Sequence, residues 1–284
     1  MIIIKHRETG AELASLDAES LAGADFREIY LQGADLSGQD LHNTNFSNAF
    51  LDNADFSGAN LSGATLTGAH LNNVNFSGAN LGHCHLGAEG YAKAAMMQNC
   101  NLANADLSHA DLRNVSLNGS NLHAVKLNNA DLRNSDLSSA NLAGISAHNC
   151  KFQNANLRDA NLSKADLSDS RLHSANLSNA NLEAAILTGL ETGGFTIINL
   201  ANFETANLAN ASMANINAEE VNFKHANLSG ADLRNAVLNG SNLRGANVAG
   251  ADFAGVQLLT VHMEFANFSK ALNVDLPYEK ENLR

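Results

Sequence analysis

A five-residue period constrains this chain more than any other feature of its sequence. Large apolar residues recur at every fifth position in three runs, residues 16–86, 97–187 and 198–268. We call each of these positions a centre. Of these 49 positions, 47 are large and apolar, and the exceptions are Ala147 and Ala218. A repeat over most of a chain predicts an architecture in which each unit packs mainly on its neighbours.

Period five fits neither an ordinary helix nor a straight strand. On an α-helix five residues rotate by about 140°, so the centres form no stripe. In a straight strand an odd period sends successive centres to opposite faces. The pattern is satisfied if the chain turns a corner after each short strand, where Ser and Gly follow the centre. The centre and the small residue two before it then point inward, and the residue between them points outward.

Two exchanges agree with this inward assignment. Ala147 and Ala218 occupy centres, and the inner residue two before each of them is Ile145 or Ile216. The large and small residues have changed places, which roughly conserves the buried volume.

The outward residues indicate how many repeats complete one coil. Asn recurs just before a centre at every fourth repeat, which favours a four-sided coil of 20 residues with Asn side chains stacked in a column. The sequence therefore predicts an all-β fold, a quadrilateral β-helix of about 13 coils. We expect the Asn column to continue across both interruptions of the repeat. Its members are Asn60, Asn80, Asn101, Asn121, Asn141, Asn161, Asn181, Asn202, Asn222 and Asn242.

Three regions follow from the pattern. Residues 1–15 are predicted to form an N-terminal β-hairpin cap, residues 16–268 the solenoid, and residues 269–284 a C-terminal cap, because a bare coil edge promotes aggregation. Within 87–96 and 188–197 the frame of the centres moves by one residue. We interpret both shifts as one-residue bulges that leave the stack intact.

The tandem A(D/N)LXX motifs over residues 16–268 resemble the pentapeptide-repeat family. The resemblance implies that the β-helix is right-handed and quadrilateral. Some members of the family mimic duplex DNA in shape and charge and bind type II topoisomerases. Many others, notably in cyanobacteria, have no assigned biochemical role.

Charge and hydropathy exclude some function classes. The net charge of −12 argues against direct nucleic-acid binding. No stretch approaches the roughly 18 apolar residues of a membrane span, and the apolar run Ile2 to Ile4 is too short for a signal peptide. The sequence thus predicts a cytoplasmic protein without membrane association.

Catalytic and metal chemistry find little support. Cys84, Cys100 and Cys150 each lie in an inner position, which favours small buried side chains over a reactive thiol site or a disulfide. His83 and His85 flank Cys84, but in a coil these three side chains point in different directions, so they do not converge as zinc ligands must. No nucleophile–base set and no phosphate-binding motif occurs. We predict a protein that is not an enzyme and binds no cofactor.

An outward column of aromatic residues is the candidate interaction surface. Tyr30, Phe50 and His70 align at the 20-residue spacing, and Tyr91 is a candidate to continue the column. Outward aromatic residues on an otherwise polar solenoid suggest a contact patch. The alternative is that residues 1–15 fold back and cover them.

Two functions remain open from the sequence. The first is a non-catalytic scaffold or adaptor that binds an unknown protein partner, with a homodimer left open. The second is a DNA mimic that binds a type II topoisomerase. Overall acidity favours the mimic, whereas the nearly neutral segment 56–187 opposes it. One-residue shifts also leave no room for the long loops that some quinolone-resistance relatives carry.

Overall fold

The computed structural model describes residues 1–189 and 195–277 of the chain. The chain divides into two compact units, Met1–Asn141 and Leu142–Arg284. The regular elements are the strands β1 (Ile2–His6), β2 (Glu12–Leu16) and β3 (Ala34–Asp35), and a short 3-10 helix at Tyr91–Lys93. The rest of the described chain consists of turns joined by single parallel bridges, and the β-helix predicted from the sequence is confirmed.

Each side of a coil follows the same hydrogen-bonding rule. In unit 1 the outward Phe50 donates its N–H to the carbonyl of Ile29 in the preceding coil, and Leu51 donates to His70 of the following coil, both at 2.8 Å. The corner is closed by the N–H of Ala54, which bonds to the Leu51 carbonyl at 3.0 Å. Asn53 holds this corner at φ 62, in the left-handed region that Asn and Gly tolerate best. The abundance of Asn and Gly two residues after the centres therefore reflects a backbone preference, which Ala124 and Lys164 show is not absolute.

The interior holds the centres and the small residues two before them. In unit 1 the rings of Phe26 and Phe46 stack 5.4 Å apart, and those of Phe56 and Phe76 stack 5.2 Å apart. In unit 2 the pair of Ile145 and Ala147 is completely buried, as the volume exchange predicted. The side-chain assignment made from the period therefore holds in both units.

A few buried hydroxyl groups insert into a corner of the preceding coil and take the place of its direct backbone hydrogen bond. Ser120 accepts the N–H of Cys100 at 2.9 Å and donates to the carbonyl of Met97 at 2.8 Å. In unit 2 Ser170 joins Cys150 to Ala147 in the same way, at 3.0 and 2.5 Å. The inner position thus tolerates a hydroxyl because its donor and acceptor are both satisfied.

The two interruptions of the repeat are six-residue insertions, so the prediction of one-residue bulges was wrong. Bridged residues lie 20 apart elsewhere, but the pairs that span an interruption, such as His70 with Met96 and Arg171 with Ile197, lie 26 apart. Five of the six extra residues make up one full repeat and leave the five-residue period unchanged, so the sequence pattern shows only the sixth. The first insertion contains the 3-10 helix, while residues 190–194 of the second lie outside the described residues.

This correction also changes the Asn columns. Asn80 pairs with Asp106 and not with Asn101, so the predicted column does not continue across the insertion. Hydrogen-bonded amide columns nevertheless exist in each unit, with side-chain bonds of 3.0–3.3 Å. The unit 1 column contains Asp55, Asn75, Asn101, Asn121 and Asn141, and a unit 2 column contains Asn161, Asn181, Asn207, Asn227, Asn247 and Asn267.

The N-terminal strands form an antiparallel hairpin at the start of unit 1. Ile2 of β1 pairs with Leu16 of β2, and on its other edge β1 pairs with β3 through Lys5–Asp35 and His6–Ala34. The hairpin thus occupies one side of the first coil. Near the other end of the chain Leu276 is buried, but Tyr278, assigned from the sequence to a C-terminal cap, lies outside the described residues.

Candidate interaction surface

The aromatic column is a stack of side chains on one side of unit 1. The rings of Tyr30 and Phe50 lie 4.6 Å apart and within 3° of parallel. The rings of Phe50 and His70 are also 4.6 Å apart, tilted by 35°. The stack arises because parallel bridges join these three residues in consecutive coils, which fixes their side chains in line.

Tyr91 does not continue this column. The residue bridged to His70 is Met96, which in turn pairs with Ser116. Tyr91 instead begins the 3-10 helix of the insertion, where 67% of its surface is exposed. The insertion is six residues long, so the position that a one-residue bulge would give to Tyr91 falls five residues later.

The hairpin leaves the start of the column uncovered. Tyr30 is 67% exposed, while the hairpin docks farther along the same coil, where Arg7 donates its N–H to the Gly33 carbonyl at 2.8 Å. A Cβ on Gly33 would come within 2.5 Å of the His6 imidazole, so glycine permits this close contact. Residues 1–15 therefore do not cover Tyr30, contrary to the alternative given by the sequence.

A polar row lies beside the aromatic column, two residues farther along each coil. Asp52 accepts both the backbone N–H and the side-chain amide of Asn72, at 2.9 and 3.0 Å. The amide oxygen of Asn72 in turn accepts the backbone N–H of Gln98 at 3.2 Å. Together with the exposed Gln32 at its start, this row gives the aromatic column a rim of hydrogen-bonding groups.

The three cysteine thiols are buried in the interior of the coils. Burial raises the pKa of Cys84 and of Cys100 to about 12, so neither forms a thiolate near neutral pH. Each thiol donates to a carbonyl of the preceding coil at 2.9 Å, that of Leu61 or Leu71. Cys150 is buried as well. Among the described residues no group of three or more His, Cys, Asp or Glu side chains could hold a metal ion.

Several outward carboxylates are neutralised by an Arg two residues later. Arg113 donates Nε and Nη2 to the two oxygens of Asp111 at 2.9 and 2.8 Å, and Arg133 binds Asp131 similarly. Burial tends to raise the pKa of Asp111, but the hydrogen bonds and charge of Arg113 outweigh it and hold that pKa below its usual value. These pairs reduce the free negative charge on this side of unit 1.

Acid is expected to weaken the ion pair of Asp111 with Arg113. A carboxylate whose pKa is lowered by folding stabilises the folded state above its unfolded pKa of about 3.9, and the stabilisation is lost as the pH falls through the lower, folded value. We therefore expect the free energy of unfolding to decrease when the pH is lowered below about 4. Urea titrations from pH 7 to pH 3 would measure it. Asp111→Asn should show a smaller fall than the wild type, and an equal fall would contradict this assignment.

Comparison with known proteins agrees with the repeat structure. The family model of pentapeptide repeats matches in eight copies over residues 20–58, 54–87, 95–134, 116–154, 150–189, 201–240 and 241–272. The chain belongs to the pentapeptide-repeat family. The matches stop at 87 and 189 and resume at 95 and 201, which brackets the two insertions. Pentapeptide-repeat proteins are generally structural or interaction proteins and not catalysts.

Solved structures of the same family resemble the chain to different extents. HetL, involved in heterocyst differentiation regulation in the cyanobacterium Nostoc sp. strain PCC 7120, is 25% identical over 84% of this chain and 87% of its own, with a TM-score of 0.27. Rfr23 of the cyanobacterium Cyanothece 51142 is 34% identical over 36% of this chain and 63% of its own, with a TM-score of 0.20. QnrB1, a plasmid-mediated fluoroquinolone resistance protein, is 21% identical over 83% and 91%, with a TM-score of 0.31. No curated protein gives a significant match.

The described residues contain no helix long and apolar enough to cross a lipid bilayer.

Proposed function

We propose that this pentapeptide-repeat protein is a non-catalytic scaffold of the cytoplasm, which binds a partner protein through the aromatic column of unit 1. The observation that carries the proposal is the stack of Tyr30, Phe50 and His70 at outward positions, with Tyr30 largely exposed. Aromatic side chains, Tyr above all, are enriched among the residues that dominate binding energy in protein interfaces.

The rigidity of the coil supports a role in binding. Parallel bridges hold the backbone on both sides of Phe50, and the stacked rings restrict one another. A preformed surface loses little conformational entropy when a partner binds, so more of the contact energy appears as affinity.

The size of the column shows that it needs its polar rim. Two ring separations of 4.6 Å give a stack of roughly 9 Å between its first and last rings. A standard interface buries about 800 Å² on each partner, and three aromatic residues supply only part of it. The neighbouring row of Gln32, Asp52, Asn72 and Gln98 offers donors and acceptors for the remainder.

Partner capture tests the scaffold function. Immobilised wild-type protein should retain a partner that the double variant Tyr30→Ala with Phe50→Ala loses, with a nearly unchanged melting temperature because both side chains point outward. Tyr91→Ala is the matched control, since Tyr91 is as exposed as Tyr30 but lies outside the column. Retention of the same partner by the double variant would remove the column from the proposal. A marked loss of thermal stability would instead assign the stack a structural role.

A DNA mimic that acts on a type II topoisomerase is the second candidate, favoured by the net charge of −12. The first six-residue insertion, which contains the 3-10 helix Tyr91–Lys93, removes one objection to the mimic, because the objection assumed one-residue bulges. The Asp–Arg pairs of unit 1 oppose it, since paired carboxylates imitate a phosphate backbone poorly. Inhibition of gyrase supercoiling at low micromolar protein would favour the mimic over the scaffold.

A further inference from the structure

The first coil of unit 1 leaves a strand edge open at Tyr30. We propose that this edge binds a short, extended, basic segment of a partner protein by β-strand addition, with an aromatic side chain of the segment stacked on the Tyr30 ring. The inference rests on the proposed scaffold function and specifies the partner's chemistry and its mode of binding.

The backbone at Tyr30 carries hydrogen-bonding groups that every later coil uses. One coil farther on, Phe50 donates its N–H to the Ile29 carbonyl, and its own carbonyl accepts the N–H of Leu31, both at 2.8 Å. Both groups of Phe50 therefore point toward the preceding coil. Tyr30 has the same place in the first coil, which no other coil of the described residues precedes. Among the described residues its N–H and carbonyl have no hydrogen-bond partner.

The other sides of the first coil are protected in ways that the Tyr30 side is not. Asp35 is covered because β1 pairs with it through Lys5. Asp25 and Asp40 place carboxylates at their edges, and charged side chains discourage a further strand from adding. The Tyr30 side has an exposed aromatic residue instead, and β1 ends its pairing at Ala34, before it reaches Tyr30.

The stack predicts an aromatic residue in the bound segment. One face of the Tyr30 ring lies against Phe50 at 4.6 Å, and the opposite face points to where a preceding coil would carry the next ring. A strand added in register would place its own outward side chain there, because parallel bridging in this fold aligns outward residues.

Charge indicates that the segment is basic. Residues 17–40 contain six acidic residues and one basic residue, Arg27, which gives −5. Arg27 is already bound to Asp25, with Nε at 2.9 Å and Nη2 at 2.6 Å from its carboxylate oxygens, while Glu28, two residues before Tyr30, is exposed. A second copy of this chain would bring the same acidic residues to the edge, so charge opposes self-association here.

A labelled peptide tests the inference directly. The probe is a fluorescent peptide of about seven residues, close to the length of a typical strand, with alternating Thr and Lys around a central Trp. We expect anisotropy titrations to show binding that weakens as salt is added. Tyr30→Asp, which gives this side the carboxylate of its neighbours, should weaken binding at least about tenfold, whereas Tyr91→Ala should leave it unchanged.

Two further probes separate strand addition from other modes of binding. A peptide N-methylated at its central residues loses its backbone donors and should bind at least about tenfold more weakly, as should a peptide with Ala in place of Trp. Sedimentation of the protein alone would reveal self-association. If Tyr30→Asp fails to fold, as judged by circular dichroism, Tyr30→Asn takes its place.

The inference is overturned if wild type does not bind the probe, if Tyr30→Asp binds it equally, or if N-methylation has no effect. Self-association that depends on Tyr30 would replace the basic partner with a second copy of the chain. The scaffold function is judged separately: loss of partner capture by the Tyr30→Ala with Phe50→Ala variant, without peptide binding, would support the column and refute strand addition.

Discussion

Replacing Leu162 with Ala is expected to lower the free energy of unfolding by about 2–5 kcal/mol. Leu162 is a centre of unit 2 with no exposed surface, and it lies between Leu142 and Leu182 in consecutive coils. Its N–H bonds to the Asn181 carbonyl at 2.6 Å, so the backbone is fixed and cannot easily collapse into the space left by the side chain. The loss should therefore include a cavity contribution in addition to the lost burial.

Ser163→Ala is the matched control because it changes the next residue along the chain. Its side chain lies outside the buried core, and we expect a change within about 0.5 kcal/mol. Urea unfolding should be followed by circular dichroism and by a second probe, since coils of a repeat protein can unfold in segments. Equal losses for the two variants would refute the assignment of inward and outward residues.

Gly87→Ala is expected to destabilise unit 1 by about 1–3 kcal/mol. Gly87 opens the first insertion, where its N–H donates to the Asp111 carbonyl at 2.8 Å. A Cβ at this position would lie 2.5 Å from the backbone nitrogen of Arg113 and 2.8 Å from its carbonyl oxygen. Because these are backbone atoms held in the next coil, the clash can be relieved only by moving the coil or the start of the insertion.

Gly90→Ala provides the comparison within the same insertion. Nothing lies within 4 Å of a Cβ built on Gly90, and its φ of 176 is extended backbone that any residue adopts. Thermal melts of the two variants should differ clearly, with Gly90→Ala close to wild type. If Gly87→Ala has the same melting temperature as the wild type, the insertion does not approach the backbone of Arg113 as closely as described.

The sequence was sufficient for the interior because the coil imposes a separate demand on each position of the repeat. Leu162 had to be apolar, and the exchange of Ile145 with Ala147 could be recognised because the buried volume is shared between adjacent inner positions. The corners were predictable as well, since the left-handed conformation of residues such as Asn53 is most favourable for Asn and Gly, although Ala124 and Lys164 adopt it too. The outward alignment of Tyr30 with Phe50 followed from the 20-residue coil.

The insertions could not be read correctly because a periodic pattern reports position only within one repeat. An insertion of six residues and one of a single residue give the same frame for the next centre, so Met96 and Tyr91 were indistinguishable as neighbours of His70. The open edge at Tyr30 depends on where β1 pairs, which no five-residue pattern contains. The sequence therefore predicted the alignment of Tyr30, Phe50 and His70, but it did not predict where the aromatic column ends.

The buried hydroxyl groups make particular coils different from their neighbours in an otherwise uniform interior. Most inner positions carry Ala, so a segment displaced by one whole coil would still match Leu to Leu and Ala to Ala. Ser120 departs from this pattern because it opens the corner at Cys100 and bridges it to Met97. The corner next to Thr44 instead keeps its own bond, from the N–H of Ala24 to the Leu21 carbonyl, and that carbonyl also accepts the hydroxyl of Thr44. Each hydroxyl is thus matched to a different corner geometry in the preceding coil, and sparse internal polarity marks individual coils that a uniform repeat would leave alike.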